Sequence, residues 1–220
     1  EIEATSKNSH RVGPSPSSET FVEVKRESKK MKDGEKLIFI RPVSEQVKVN
    51  LKWDNQQDLD LNCFVELNSG RRVILQPLGR KFGALETSPF VLHSGDDRLG
   101  SSDDGEFIFA EMSNLQHIKR IVFYATIYSG ASNWSQTDAV VTIHVPGHGE
   151  IVVPLNEQNT ENHQNKCALC TVAIDGRQLS VERHVTFHKS TLFEHTDGRT
   201  VDEMDVQYDF GMNWHYASKD

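Results

Sequence analysis

The chain has 220 residues, 36% hydrophobic and 25% charged, and its 24 Lys and Arg against 32 Asp and Glu give a net charge of -8. That balance excludes a protein that tracks phosphate backbones, which needs a basic surplus on one face, so no nucleic-acid partner is expected. No apolar run approaches the roughly 20 residues that span a bilayer, and the start lacks the charged, apolar and small-residue pattern of a secretory signal. Three cysteines leave an odd thiol, which suits a reducing, cytoplasmic compartment better than a disulfide framework.

Residues 1–36 read as a polar linker or tail. From Thr5 to Thr20 the chain is rich in Ser, Pro and Asn, with Val12 its only large apolar residue. Such a stretch buries too little surface to offset the entropy of ordering. The chain starts with Glu rather than Met, which fits a processed or truncated protein whose tail follows an upstream domain. Residues 1–36 hold eight Lys or Arg against seven Asp or Glu, so the acidity belongs to 37–220.

From Lys36 onward the pattern is that of strands. LIFIRP (37–42), VKVNLKW (47–53), LNCFVEL (61–67) and RRVILQ (71–76) are short runs rich in β-branched and aromatic residues. EFIFAEM (106–112), RIVFYATIY (120–128), AVVTIHV (139–145) and EIVVPL (150–155) continue the series, and CALCTVAI (167–174) and LSVERHVTF (179–187) extend it. Turn residues separate them, as in NSG (68–70), PGHG (146–149) and DGRQ (175–178). Short helices fit only at 111–119 and 201–209. Many short strands at regular spacing predict an all-β, two-sheet sandwich over 37–220.

Two acidic clusters could carry chemistry. In DLDLN, Asp58, Asp60 and Asn62 share one face of a strand while Leu59 and Leu61 take the other. An EF-hand is excluded, because with Asp58 at position 1 the required Gly and Glu fall on Cys63 and Ser69. The second cluster, SGDDRLGSSDDGE, sets Asp96, Asp97, Asp103, Asp104 and Glu106 in a Gly-rich loop. Five carboxylates exceed what a turn needs, since turn Asp residues usually occur singly. Oxygen ligands on a flexible loop suit calcium better than magnesium. All seven acidic residues are expected to converge on calcium at one end of the sandwich.

Other constellations read as structure. Cys167 and Cys170 form a CxxC within a strand pattern, without the helix N-terminus that redox chemistry uses or the second pair that zinc requires. They are expected to be small core residues. His144 with His148, and His184 with His188, are four apart, a spacing that ten histidines produce by chance. Trp134, in a polar loop, is expected to pack over an end of the sandwich. No GxSxG elbow, phosphate loop or GxGxxG is present, and no enzymatic activity is expected.

DLDL, then HSGDD with a downstream DDGE, then KRIVFYATIY and TDAVVTI resemble the TerD-domain family of tellurite-resistance and stress-response proteins. Within it, WDNQQDLDLNCFVEL, GALETSPFVLHSGDDRLG, IYSGASNW and DFGMNWHYASK are most similar to the TerA-like branch. The resemblance covers about 45–218. It implies a calcium-binding β-sandwich without catalytic activity, acting in bacterial tellurite resistance through complexes with related proteins, in the cytoplasm or peripherally at the inner membrane. Carried over, the family's DxD falls on Asp58 and Asp60, its Gly-Asp-Asn on Gly95, Asp96 and Asp97, and its later acidic group on Asp103, Asp104 and Glu106. The alternative is a TerA-like interaction scaffold that has lost the ion.

Overall fold

The computed structural model describes residues 31–40, 45–53, 57–98, 104–147, 149–156, 161–216 and 219. In chain order the strands are β1 (Lys36–Ile40), β2 (Gln46–Lys52), β3 (Asp58–Leu67), β4 (Arg72–Leu75), β5 (Gly83–Ala84), β6 (Val91–His93) and β7 (Glu106–Glu111). They continue as β8 (Ile118–Ser129), β9 (Val140–Val145), β10 (Gly149–Pro154), β11 (Lys166–Asp175), β12 (Gln178–His188), β13 (Phe193–Glu194) and β14 (Thr200–Val201), followed by the helix α1 (Glu203–Tyr208). The expected helix at 111–119 is a single 3-10 turn at Leu115–His117.

Two six-stranded antiparallel sheets form, in the orders β1-β12-β11-β8-β3-β4 and β10-β9-β2-β7-β6-β5; β13 and β14 make a small hairpin. Alternation decides what each strand buries. Val47, Val49 and Leu51 of β2, Ile108 and Ala110 of β7, and Val141, Ile143 and Val145 of β9 face inward from one sheet. Leu59, Leu61, Cys63 and Val65 of β3 and Ile121, Phe123, Ala125 and Ile127 of β8 meet them from the other. The result is a β-sandwich, as the strand pattern predicted. Trp134 is fully buried in this core. No helix among the described residues is long and apolar enough to cross a membrane.

The strand β3 is buried on both faces along all ten residues. Its outer side is covered by the C-terminal segment, where Phe64, Ile74, Val122, Tyr124 and Ala168 pack with Met204 and Phe210 in a second apolar cluster. The rings of Phe64 and Phe210 stack at 4.3 Å. Asp202 starts the covering helix by accepting the Asp205 backbone N–H, an N-cap that satisfies one orphan donor. Asp205 then fixes the chain beyond it, accepting Met212 N–H and Trp214 Nε1–H at 2.8 Å each.

Cysteines three apart point to opposite faces of a regular strand, yet Cys167 and Cys170 both lie in the inner core. A β-bulge between Ala168 and Cys170 adds one residue and resets the alternation. Burial pushes the Cys170 thiol up to about 12 and also raises Cys167 and Cys63. Residues 1–30 lie outside the described residues. Met31, within the stretch read as a tail, is buried in the sandwich core. Asp33 accepts the Val185 N–H at 2.7 Å, and Gly34 N–H donates to Arg183 O.

Candidate metal centre

The first acidic cluster lies at the N-terminal end of β3. Period-two geometry turns Leu59 and Leu61 into the core and leaves Asp58, Asp60 and Asn62 on the outer face. That face is not solvated: Asp58 and Asp60 are only 8% and 4% exposed. The loop after β6 brings Asp96 to them, so that one carboxylate oxygen from each of Asp58, Asp60 and Asp96 lies within 4.8 Å of the others. Oxygens bound to one calcium at about 2.3–2.6 Å are separated by at most roughly twice that length. The three carboxylates could therefore hold a divalent ion, with carbonyls or water completing its shell.

A cation of the chain itself lies among them. Lys219 Nζ is 2.5 Å from Asp58 Oδ1, 2.6 Å from Asp60 Oδ1 and 2.9 Å from Asp96 Oδ1. Its side chain is 2% exposed and its ammonium stands 4.6 Å from the centre of the Tyr128 ring. Arg98 Nε adds a 2.9 Å bond to Asp96 Oδ2. Burial, with the neighbouring charges of Glu106 and Asp58, pushes the Asp60 carboxyl up to about 7 against the pull of Lys219. Burial acts on Asp96 too, but hydrogen bonds from Lys219 and Arg98 hold its carboxyl below the usual range. Burial opposes the charge on Lys219, and the surrounding carboxylates outweigh it, so its pKa is raised.

The other acidic residues do different work. Glu106 is fully buried, on the inward phase of β7 with Ile108 and Ala110. Its Oε2 accepts the Leu61 N–H at 2.7 Å and its Oε1 accepts the Asp97 N–H at 3.0 Å. It ties the acidic loop to β3 without joining the three carboxylates. Asp97 meets Glu106 through its backbone, and Asp104 is exposed, offering its carbonyl to Asn50 Nδ2. Asp103 falls outside the described residues. Gly105 has a positive φ of 70°, and a Cβ there would meet Leu51 O at 2.2 Å, so glycine lets this loop lie directly on β2.

Sequence reasoning missed two participants. His93 is buried, accepts the Gly95 N–H at Nδ1 and is 2.7 Å from Leu61 O through Nε2, which places the proton on Nε2. Its Nε2 is also 3.6 Å from Glu106 Oε2. The HSGDD segment holds this histidine, but its pattern marks only the acidic residues as chemical. Lys219 is the second, and no local pattern marks it. His184 and His188 both pack edge-on against Tyr208, with His184 Nε2 bonded to Thr171 Oγ1 and His188 Nε2 to Thr186 Oγ1. His148 lies outside the described residues.

No family model matches the chain. It is 31% identical over 190 residues to a tellurium resistance protein TerA from Alcaligenes sp., an alignment covering 79% of this chain and 52% of that protein. The chain thus spans about half the length of this curated relative. The fold is similar to the crystal structure of a homologue of telluride resistance protein (TerD) from Streptomyces coelicolor A3(2), with a TM-score of 0.52 and 18% identity over 67% of this chain and 92% of that one. A solved protein of unknown function gives a TM-score of 0.51 at 13% identity, covering 68% of this chain and 92% of its own.

Proposed function

Because this chain belongs to the TerD-domain family, we propose that it is a non-enzymatic stress-response module that binds calcium at Asp58, Asp60 and Asp96. It would contribute to bacterial tellurite resistance in complexes with related proteins. The observation that carries this reading is the convergence of three carboxylate oxygens from two separate segments within 4.8 Å. Three such charges repel unless a cation lies between them. In this structure the cation is Lys219, so calcium must displace an ammonium before it binds.

The same ammonium favours a second reading. A lysine held by three carboxylates supplies the charge that an ion otherwise would, which is what an interaction scaffold that has lost calcium needs. The two readings separate in one experiment on the full chain. Under the calcium reading, calcium at a hundredfold excess over Kd stabilises the protein by about 2.7 kcal/mol relative to EDTA. Lys219→Met then lowers stability in EDTA, by leaving the carboxylates unpaired, and tightens calcium binding measured by calorimetry. Under the scaffold reading, millimolar calcium leaves the melting temperature of the unaltered chain at its EDTA value.

A further inference from the structure

The C-terminal segment does more than cover the sheet. Beneath Met212–Tyr216 lies a cavity of about 280 Å3. Its floor is the outer face of β3 and β8, where Asn62 pairs with Tyr124 and Asp60 with Thr126. Ile74 and Leu78 wall one side, and Trp214 borders it from the covering segment. The Tyr124 hydroxyl is buried with no hydrogen-bond partner among the described residues, and the Ser190 hydroxyl on the rim is likewise unpaired. A face that needed only covering would carry phenylalanine at 124, as it does at 64. A buried orphan hydroxyl is costly to the fold.

We propose that this cavity binds a small planar heterocycle bearing a ring-nitrogen acceptor, with the Tyr124 hydroxyl donating to the ring nitrogen. Apolar atoms make up most of the surface the cavity presents, as in small-molecule sites, with polar side chains that include Lys81, Asn165 and Lys166 set among them. The face of β3 and β8 that floors the cavity, with the Trp214 ring at its border, favours a flat molecule. Burial keeps the Tyr124 phenol protonated well above its ordinary range, and therefore a donor. The site does not depend on calcium, because Tyr124, Trp214 and Ile74 lie outside the ion cluster.

Adenine is the probe, titrated into the full chain in EDTA and followed by calorimetry and ligand-detected NMR. Saturable binding is expected, with indole, which has the shape but lacks the acceptor, at least tenfold weaker. Tyr124→Phe is expected to keep or raise the melting temperature while weakening adenine at least fivefold. Leu78→Trp, which fills the cavity and leaves Tyr124 in place, is expected to abolish binding. The proposal is overturned if adenine does not saturate, if indole binds equally well, or if either variant retains full affinity. A lowered melting temperature for Tyr124→Phe, with no change in adenine binding, would show a hydroxyl that serves the fold alone.

Discussion

Asp60 shows how one side chain sets the behaviour of the site. Its carboxyl, pushed up to about 7 chiefly by burial, binds a proton more tightly in the folded chain than in the unfolded one. The stability it contributes is therefore full below about pH 4 and lost as pH rises through about 7. A proton and a divalent ion compete for the same oxygen, so calcium affinity is expected to rise about tenfold between pH 6 and pH 8. Calorimetry at both pH values checks this, and Asp60→Asn should flatten the dependence. The alternation of DLDLN made Asp58 and Asp60 legible as one face. The inward phase of Glu106 was legible as well, since it matches Ile108 and Ala110, whereas a count of carboxylates takes no account of phase. Lys219 was not legible: a single lysine far along the chain meets Asp58 only through the tertiary fold.

At the scale of elements, the outer face of β3 depends on residues that follow every other strand. Phe210 stacks on Phe64 and also meets Tyr124, Tyr208 and Trp214. Truncating it to Ala is expected to cost about 3–5 kcal/mol in urea unfolding, the usual range for a buried aromatic. The long strands could be read because period-two patterning needs several residues to show, and β3, β8, β11 and β12 have them. The pairs Gly83–Ala84, Phe193–Glu194 and Thr200–Val201 are too short to carry a period. The bulge in β11 escaped because one inserted residue leaves composition unchanged and alters only which side each cysteine takes. It has a chemical outcome. With all three thiols buried and their pKa values raised, the native protein is expected to resist a water-soluble thiol reagent that labels three cysteines once the chain is unfolded.

For the whole molecule, the described body includes residues that composition alone would leave out. Met31 fills the core, and Asp33 lies 3.5 Å from Arg183 as well as accepting the Val185 N–H. Deleting residues 1–30 is expected to leave the melting temperature unchanged. Deleting 1–36 takes away the buried methionine and the Asp33 bond together, and should lower the melting temperature by roughly 5–10 °C, because about 1 kcal/mol corresponds to about 2–4 °C for a chain of this size. Differential scanning calorimetry of the two shortened chains decides between them. Polar composition hid this because one buried methionine and one capping aspartate are enough to fasten a segment that is otherwise hydrophilic.

The double burial of β3 also bears on how the protein is born. A ribosome that adds about 5–20 residues per second delivers the strand's outer partners on the order of ten seconds after the strand itself. Phe64 through the whole of that interval, and Val122 and Tyr124 from the moment they emerge, lack the side chains that cover them in the finished fold. A nascent chain stalled before Phe210 is thus a natural client for a holdase chaperone, and the emergence of Phe210, rather than closure of the sandwich, is the moment at which this part of the protein leaves its aggregation-prone stage.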